Sequence, residues 1–310
     1  LRIVLADPLS YEPPYLAALQ HALPDHKFFR WPDIDPGFDH HVLVAWDIPS
    51  EMQAFAPSLR VIFCFAAGTD QLLIAPRLAI TAPVARLIDH GQADQLLDYA
   101  MHAAFARLQD EFDVHASQQQ RLWRPAGVSR RRRGDLRIAV LGLGIIGAHV
   151  AHGLALAGFR VSGWSRSFRA IDGVTCFHGE TGLLPCADGA DLLVNLLPSN
   201  AQTHEILSAP MFDRLAIGAW LVNLGRGEQL DETALAGALE SGRVGGAWLD
   251  VFAVEPLPRD HWMWAHPRVR VTPHRGGLPT PEGTAKSLKD LVAAIERGDA
   301  VLPGQISAGC

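Results

Sequence analysis

Cysteine is scarce. Four in 310 residues, Cys64, Cys176, Cys186 and Cys310, show neither CxxC spacing nor a dense framework. That speaks against a disulfide-stapled secreted scaffold and fits reduced thiols in the cytosol. Also missing is any apolar stretch of the roughly 18 to 20 residues that a membrane span requires, and no secretory leader is recognisable. There is no excess of positive charge: 27 Lys and Arg face 33 Asp and Glu, for a net charge of −6. No global field therefore favours nucleic acid or an anionic membrane as a partner. Repeats of about 20–50 residues and low-complexity tracts are absent too. What remains, 48% hydrophobic and 19% charged residues, suits a chain that buries a large core, long enough for two domains. A cytoplasmic protein is expected.

One local charge run, Arg130 to Arg133 with Arg124 nearby, reads either as a phosphate-binding patch or, as short charge runs usually do, as a solvated loop before the next strand.

Along the N-terminal third, short apolar runs alternate with helical patterns. Strands are expected at Leu1–Ala6, His41–Trp46 and Arg60–Phe65, with a helix over Tyr15–Leu23. Continuous apolar runs bounded by Pro, Gly and Asp suit parallel strands covered on both faces. From Gln92 to Glu111 the spacing of Leu96, Tyr99, Ala100 and Ala103 predicts a linking helix. From Leu136 the pattern becomes denser. RIAVLG, FRVSGW, ADLLVNLL, AWLVNL, GGAWLDVF and VRVTPH are six strand candidates. Helical segments separate most of them, such as Asp231–Ser241 with Asp231 as its N-cap and Gly242 as its stop. Alternation of this kind indicates βαβ units and a mostly parallel sheet.

The strand RIAVLG runs into Gly142-Leu143-Gly144-Ile145-Ile146-Gly147, and a helical pattern follows. G-x-G-x-x-G between strand and helix is the dinucleotide fingerprint. Its first glycine permits the tight turn, its second a close approach of backbone to pyrophosphate, and its third close helix–strand packing. The helix N-terminus offers N–H groups and a positive dipole to the phosphates. The next strand ends at Trp164-Ser165-Arg166-Ser167, where an NAD-preferring site would usually place Asp or Glu for the ribose 2′-OH. A cation with two hydroxyls suits a 2′-phosphate instead, so NADP is expected to be preferred and NAD to be possible.

Three polar groups follow consecutive strand candidates, Arg226 after AWLV, Glu255 after GGAWL and His274 after VRV, and Asp250 stands directly at the end of GGAWL. Ligands of an open α/β sheet bind outside the carboxyl ends of its strands, so these groups can converge despite their separation in sequence. Reduction of a 2-keto acid needs a cation for the carboxylate and ketone, a role that Arg226 suits. It also needs an acid for the carbonyl oxygen, and an imidazole, which titrates near neutrality, suits that role at His274. Glu255 can then hold the far side of the ring. The cluster His261, Trp262, Trp264 and His266 reads as a packed loop, because no Cys or carboxylate has ligand spacing with it.

The ordered set GLGIIG, NLGRGEQLDETAL, GAWLDVFAVEPLP and VTPHRGG resembles the D-isomer specific 2-hydroxyacid dehydrogenase family, and within it the glyoxylate/hydroxypyruvate reductase A type. WSRS, NLLPSNAQT, VAWDIPSE, FAAGTD and the WRP at Trp123–Pro125 share the likeness. The resemblance implies Arg226, Glu255 and His274 as the catalytic set. It implies substrate contacts at Trp46, Ala67, Gly68, Arg226 and His274. Cofactor contacts are implied at the glycine loop, Ser165, Arg166, Ser167, Leu197, Pro198, Leu224, Arg226, Asp250 and Gly276. No metal is implied. The implied fold is α/β, with two Rossmann-like or flavodoxin-like, doubly wound parallel-sheet domains and an active cleft between them. Residues 1–98 would begin the substrate-binding domain, 99–276 form the dinucleotide-binding domain, and 277–310 complete the first. The implied reaction transfers hydride from NADPH or NADH to a small 2-keto acid to give the D-2-hydroxy acid, and the implied assembly is a homodimer.

Where family members usually carry a small apolar run after TPH, this chain has Arg275-Gly276-Gly277. Arg275 would disfavour a charged imidazole, add a second anion contact, or face solvent. Two other readings compete with the reductase. A non-enzymatic dinucleotide sensor on the same fold has no need of the three polar groups. A different Rossmann enzyme, such as a methyltransferase, explains the glycine loop but not Arg226, Glu255 and His274.

Overall fold

The computed structural model describes residues 1–35, 37–48, 57–69, 82–123 and 131–306. They divide into two compact units, Leu1–Gln92 with Pro279–Cys310, and Ala93–Leu278.

The first unit is built on five parallel strands, β1 (Arg2–Leu5), β2 (Lys27–Arg30), β3 (Val42–Ala45), β4 (Val61–Cys64) and β5 (Val84–Arg86). Their order, β2-β1-β3-β4-β5, is that of the flavodoxin-like doubly wound sheet. The two-residue period of a strand sorts its side chains between two cores. Ile3, Leu5, Val42, Val44, Val61 and Phe63 face a core shared with Leu19 of helix Pro13–Ala22 and with Leu288, Leu291 and Val292 of helix Pro281–Arg297. Val4, Leu43, Ala45, Ile62 and Cys64 face the other, closed by Ile48 and Trp31. The continuous apolar runs in the sequence therefore mark strands covered on both faces. The C-terminal segment returns to the edge of this sheet, where Ile306 N–H donates to Val84 O at 3.0 Å and Arg86 N–H to Gly304 O at 2.9 Å.

The second unit holds seven parallel strands: β6 (Arg137–Leu141), β7 (Arg160–Ser165), β8 (Val174–His178), β9 (Leu192–Asn195), β10 (Ala219–Asn223), β11 (Val244–Leu249) and β12 (Val269–Val271). Their order is β12-β11-β10-β9-β6-β7-β8. Counted from β6, this is the dinucleotide-binding arrangement 3-2-1-4-5-6 with one added strand, and it reverses direction between β6 and β9. One face carries Leu141, Leu193, Leu221 and Leu249. The other carries Ile138, Val140, Val194, Val222 and Trp248, and takes Leu96, Ala100 and Ala103 from helix His90–Leu108. The predicted helical face of that segment thus packs in the core of the second unit.

Strands β2, β5 and β8 and helices Glu111–Gln119 and Pro281–Arg297 are not among the predicted elements. The described part of the arginine run is tied to the fold. Arg131 donates to Asp191 Oδ1 at 3.0 Å, and Arg133 to Ala157 O at 2.8 Å. Arg132 pairs with Asp135 at 3.8 Å. The reading as a loop before a strand accounts for these contacts. Arg124 and Arg130 lie outside the described residues.

Helix Glu232–Glu240 begins as expected, with Asp231 accepting Ala234 N–H at 2.9 Å and Gly242 following in the left-handed region at φ 74°. Asp231→Ala should cost about 1 kcal/mol, the usual loss for an N-cap, read as a lower denaturation midpoint. An unchanged midpoint would show that the cap contributes nothing.

Candidate active site

All the cofactor and proton-transfer candidates of the second unit lie at the carboxyl ends of its strands. Between β6 and helix Ile145–Leu156, Gly142 has φ 98°, and a Cβ there would stand 2.8 Å from Leu196 O. A Cβ on Gly147 would stand 1.6 Å from Gly142 O. Both glycines are thus required by the chain itself. Gly144 differs: a Cβ there meets nothing within 4 Å, and its φ of −72° is open to any residue. Its openness leaves room for backbone to approach a bound group. Gly144 caps the helix with no side-chain hydrogen bond, so the first N–H groups of Ile145, Ile146 and Gly147 are not taken by a cap. These features fit a dinucleotide pyrophosphate. Ile145 is exposed and Leu143 is buried against Gly163.

Ser165 ends β7, with its hydroxyl donating to Ser167 O at 2.8 Å. Arg166, Ser167 and Arg169 are exposed. Among the described residues Arg166 has no ion-pair partner, so its guanidinium is available to an anion.

Three buried amides organise the next two strand ends, and sequence reasoning did not single them out. Asn195, Asn223 and Gln229 have no exposed surface. Asn195 Nδ2 donates to Asn223 Oδ1 at 2.9 Å and to Gln229 Oε1 at 2.7 Å. Gln229 Nε2 donates to Leu197 O at 3.2 Å and to Pro198 O at 3.0 Å. On the other side Arg226 N–H donates to Gln229 Oε1 at 2.8 Å, and Asn223 Nδ2 to Arg226 O at 3.1 Å. The same amides therefore hold the Leu197–Pro198 backbone and the Arg226 backbone. Arg226 Nη1 also donates to Gly225 O at 2.9 Å. The available signal was a lone Asn closing each of two apolar strands, LLVN and AWLVN.

Arg226, Glu255 and His274 follow β10, β11 and β12, which are consecutive neighbours in the sheet. His274 Nδ1 lies 2.8 Å from Glu255 Oε2. Glu255 is held in turn, because its Oε1 accepts Phe252 N–H at 2.9 Å. Asp250, 2% exposed, accepts from Thr272 Oγ1 at 2.5 Å, from Arg275 N–H at 3.0 Å and from Gly276 N–H at 2.8 Å. Gly276 is buried against Asp250 and Leu224: its Cβ would meet Asp250 Oδ2 at 2.9 Å and Leu224 Cδ2 at 3.0 Å. The structure thus brings Leu224, Asp250 and Gly276 together, and sets His274 on the turn that they brace. The Arg275 side chain is exposed.

In the first unit, Trp46 follows β3 and is 38% exposed. Ala67 and Gly68 follow β4, and Gly68 O accepts from the Cys64 thiol at 3.3 Å. Pro49 to Glu51, Asp70, Arg124 and Pro125, which contribute to the expected motifs, lie outside the described residues. His261 pairs with Glu232 at 3.0 Å. Among the described residues no three His, Cys, Asp or Glu side chains form a metal-holding group.

The glycine loop makes a discriminating prediction. Gly147→Ala should lower the denaturation midpoint sharply, since its Cβ collides with Gly142 O. Gly144→Ala should keep the wild-type midpoint and weaken NADPH binding. Intact NADPH binding by Gly144→Ala would remove the phosphate role from this loop.

Comparison with known proteins agrees with this geometry. Residues 99–276 match the family model described as D-isomer specific 2-hydroxyacid dehydrogenase, NAD binding domain. The chain is 37% identical over 305 residues to the glyoxylate/hydroxypyruvate reductase A of Serratia proteamaculans, covering 96% of each chain. The crystal structure of a D-isomer specific 2-hydroxyacid dehydrogenase from Xanthobacter autotrophicus Py2, in complex with NADPH and MES, superposes with a TM-score of 0.91 at 32% identity, over 99% of this chain and 98% of that one. The NADPH-dependent glyoxylate/hydroxypyruvate reductase of Sinorhizobium meliloti, in complex with NADP and sulfate, gives 0.89 at 29% identity, over 99% and 98%. The strand orders, the glycine loop and these likenesses agree: the chain is an NAD(P)-dependent oxidoreductase that belongs to the D-isomer specific 2-hydroxyacid dehydrogenase family.

Proposed function

We propose that the chain reduces a short 2-keto acid of the glyoxylate or hydroxypyruvate kind to the D-2-hydroxy acid, with NADPH preferred over NADH. The observation that carries this reading is the His274–Glu255 pair, a proton donor braced by a carboxylate on the turn after β12. The names of the Serratia and Sinorhizobium relatives support the substrate class, and the nucleotides bound by the Xanthobacter and Sinorhizobium proteins support NADPH. A dinucleotide sensor would make no use of such a pair.

The glycine loop from Gly142 to Gly147 and the strand ends beside it would hold the reduced nicotinamide cofactor, which would supply the hydride. His274 supplies the proton. The Glu255 oxygen at its Nδ1 is an acceptor, so Nδ1 keeps its hydrogen and Nε2 is the nitrogen that gives one up. After transfer to the carbonyl oxygen the ring is the neutral Nδ1–H tautomer, which Glu255 still holds. In the oxidative direction the same nitrogen is the base. Arg226, a fixed cation, binds the carboxylate and polarises the ketone. The amides of Ala67 and Gly68 are assigned to the carboxylate and Trp46 to the substrate pocket. Cofactor contacts are assigned to Gly142, Gly144, Ile145, Ile146, Gly147, Leu197, Pro198, Leu224, Asp250 and Gly276. Ser165, Arg166 and Ser167 are assigned to the 2′-phosphate, for which the exposed Arg166 offers a fork of donors. The domain assignment is that residues 99–276 bind the dinucleotide, while 1–98 and 277–310 bind the substrate. A cytoplasmic homodimer completes the proposal. Phe105, Leu122 and Trp123 of the second unit are apolar yet exposed by 40%, 46% and 95%, which is compatible with self-association; light scattering of the purified chain should give the mass of a dimer, and a monomer's mass would contradict it.

His274→Ala should lose about 10² to 10⁴ in turnover, the range for removing a general acid, while NADPH titrated by fluorescence binds as before. A wild-type rate would overturn the assignment. Arg166→Ala should raise the KM for NADPH and leave that for NADH nearly unchanged. Equal effects on both would remove the 2′-phosphate contact.

A further inference from the structure

The turn that carries His274 is gripped from behind by two hydroxyls to which the reaction as described assigns no part. Tyr99, on helix His90–Leu108, has its hydroxyl 2.8 Å from Thr272 Oγ1, and that oxygen lies 2.5 Å from Asp250 Oδ1. The direction of this chain follows from counting protons. Both Asp250 oxygens face donors, so the single Thr272 hydrogen goes to Asp250. Tyr99 must then donate to Thr272. Burial, above all, pushes the Tyr99 hydroxyl up to about 12, so it keeps its hydrogen at neutral pH. The Tyr99 ring is itself held edge-on to Trp248, with centroids 5.9 Å apart.

Asp250 passes this orientation to the backbone beyond His274, through the N–H groups of Arg275 and Gly276. The N–H of His274 is also fixed, at 2.8 Å from Asp250 O and 3.0 Å from Thr272 O. Such restraint is needed because His274 has φ 48°, in the left-handed region that a β-carbon disfavours. Released from it, the backbone would relax toward negative φ and swing the imidazole away from Glu255.

We propose that Tyr99 and Thr272 are positioning residues for proton transfer: their hydroxyl relay orients the Asp250 carboxylate, which holds His274 in the backbone conformation that keeps its ring on Glu255. The inference rests on the reading of His274 as the proton donor.

The test uses Thr272→Val, which keeps the shape and removes the hydroxyl, Thr272→Ser, which restores it, and Tyr99→Phe, which keeps the ring packing. Initial rates and NADPH dissociation constants are measured for each, with His274→Ala and the His274→Ala/Thr272→Val double variant alongside. Thr272→Val should lower kcat by about ten- to a hundredfold, as a misplaced catalytic group does, a loss larger than any rise in the NADPH dissociation constant, which Asp250 and Gly276 also bear on. Thr272→Ser should recover most of the rate, and Tyr99→Phe should fall in the same direction by less. The double variant should be no slower than His274→Ala alone, since both changes remove one function. Wild-type kcat in Thr272→Val and Tyr99→Phe, even with lowered melting points, would overturn the relay and leave His274 as the donor. If Thr272→Val does not fold, Tyr99→Phe decides alone. Undiminished turnover in His274→Ala would instead bring down the reading beneath it.

Discussion

In the second unit every strand runs the same way, and much else depends on that. A parallel sheet opens all its carboxyl ends on one edge, so the chain leaves the ladder there seven times. Backbone groups that leave a ladder must find other partners, and loops that are to hold a ligand must find rigid ones. Here the partners are buried side chains. Asn195, Asn223 and Gln229 serve the ends of β9 and β10, and Asp250 serves the ends of β11 and β12. Position in the sheet and hydrogen bonding therefore answer one need, which is to fix irregular backbone at the strand ends.

The two networks differ in chemistry. Asn195, Asn223 and Gln229 are neutral, fully buried and donate or accept several times each, so the desolvation of their polar atoms is offset by partners. They tie Leu197 and Pro198 to Arg226 through shared partners. Around Asp250 a charge-capable group is buried instead, and three donors converge on it. That stronger acceptor sits where the backbone is least comfortable, beside the positive φ of His274. Strain of this kind persists only where the surroundings over-determine it, and here they do.

Much of this arrangement was legible in the amino-acid order, for identifiable reasons. The glycine loop was readable because close packing against Leu196 and Gly142 leaves no room for side chains at two of its positions. The central strands were readable because both their faces are buried. β2 and β8 were not, since KFFR and VTCFH are only half-buried edge strands with no apolar run, and β5 has just three residues. Helix Pro281–Arg297 did leave a trace: Thr280 accepts Gly283 N–H as its N-cap, and Leu288, Leu291, Val292 and Ile295 recur at helical spacing. Residue types at the site pointed to the His274–Glu255 contact. What Asn195, Asn223, Gln229, Tyr99 and Thr272 do was hidden, because a lone polar residue in an apolar run acquires meaning only from partners far away in sequence. Tyr99 and Thr272 are 173 positions apart.

The proposed reductase site for short 2-keto acids lies at these strand ends. Its most direct test is the initial rate of NADPH oxidation by the purified chain with glyoxylate and with hydroxypyruvate, repeated with NADH. Saturable turnover that yields the D-2-hydroxy acid and runs faster with NADPH is the predicted result. Tight NADPH binding with no oxidation by any member of a 2-keto acid panel would rule out the reductase and favour a dinucleotide sensor.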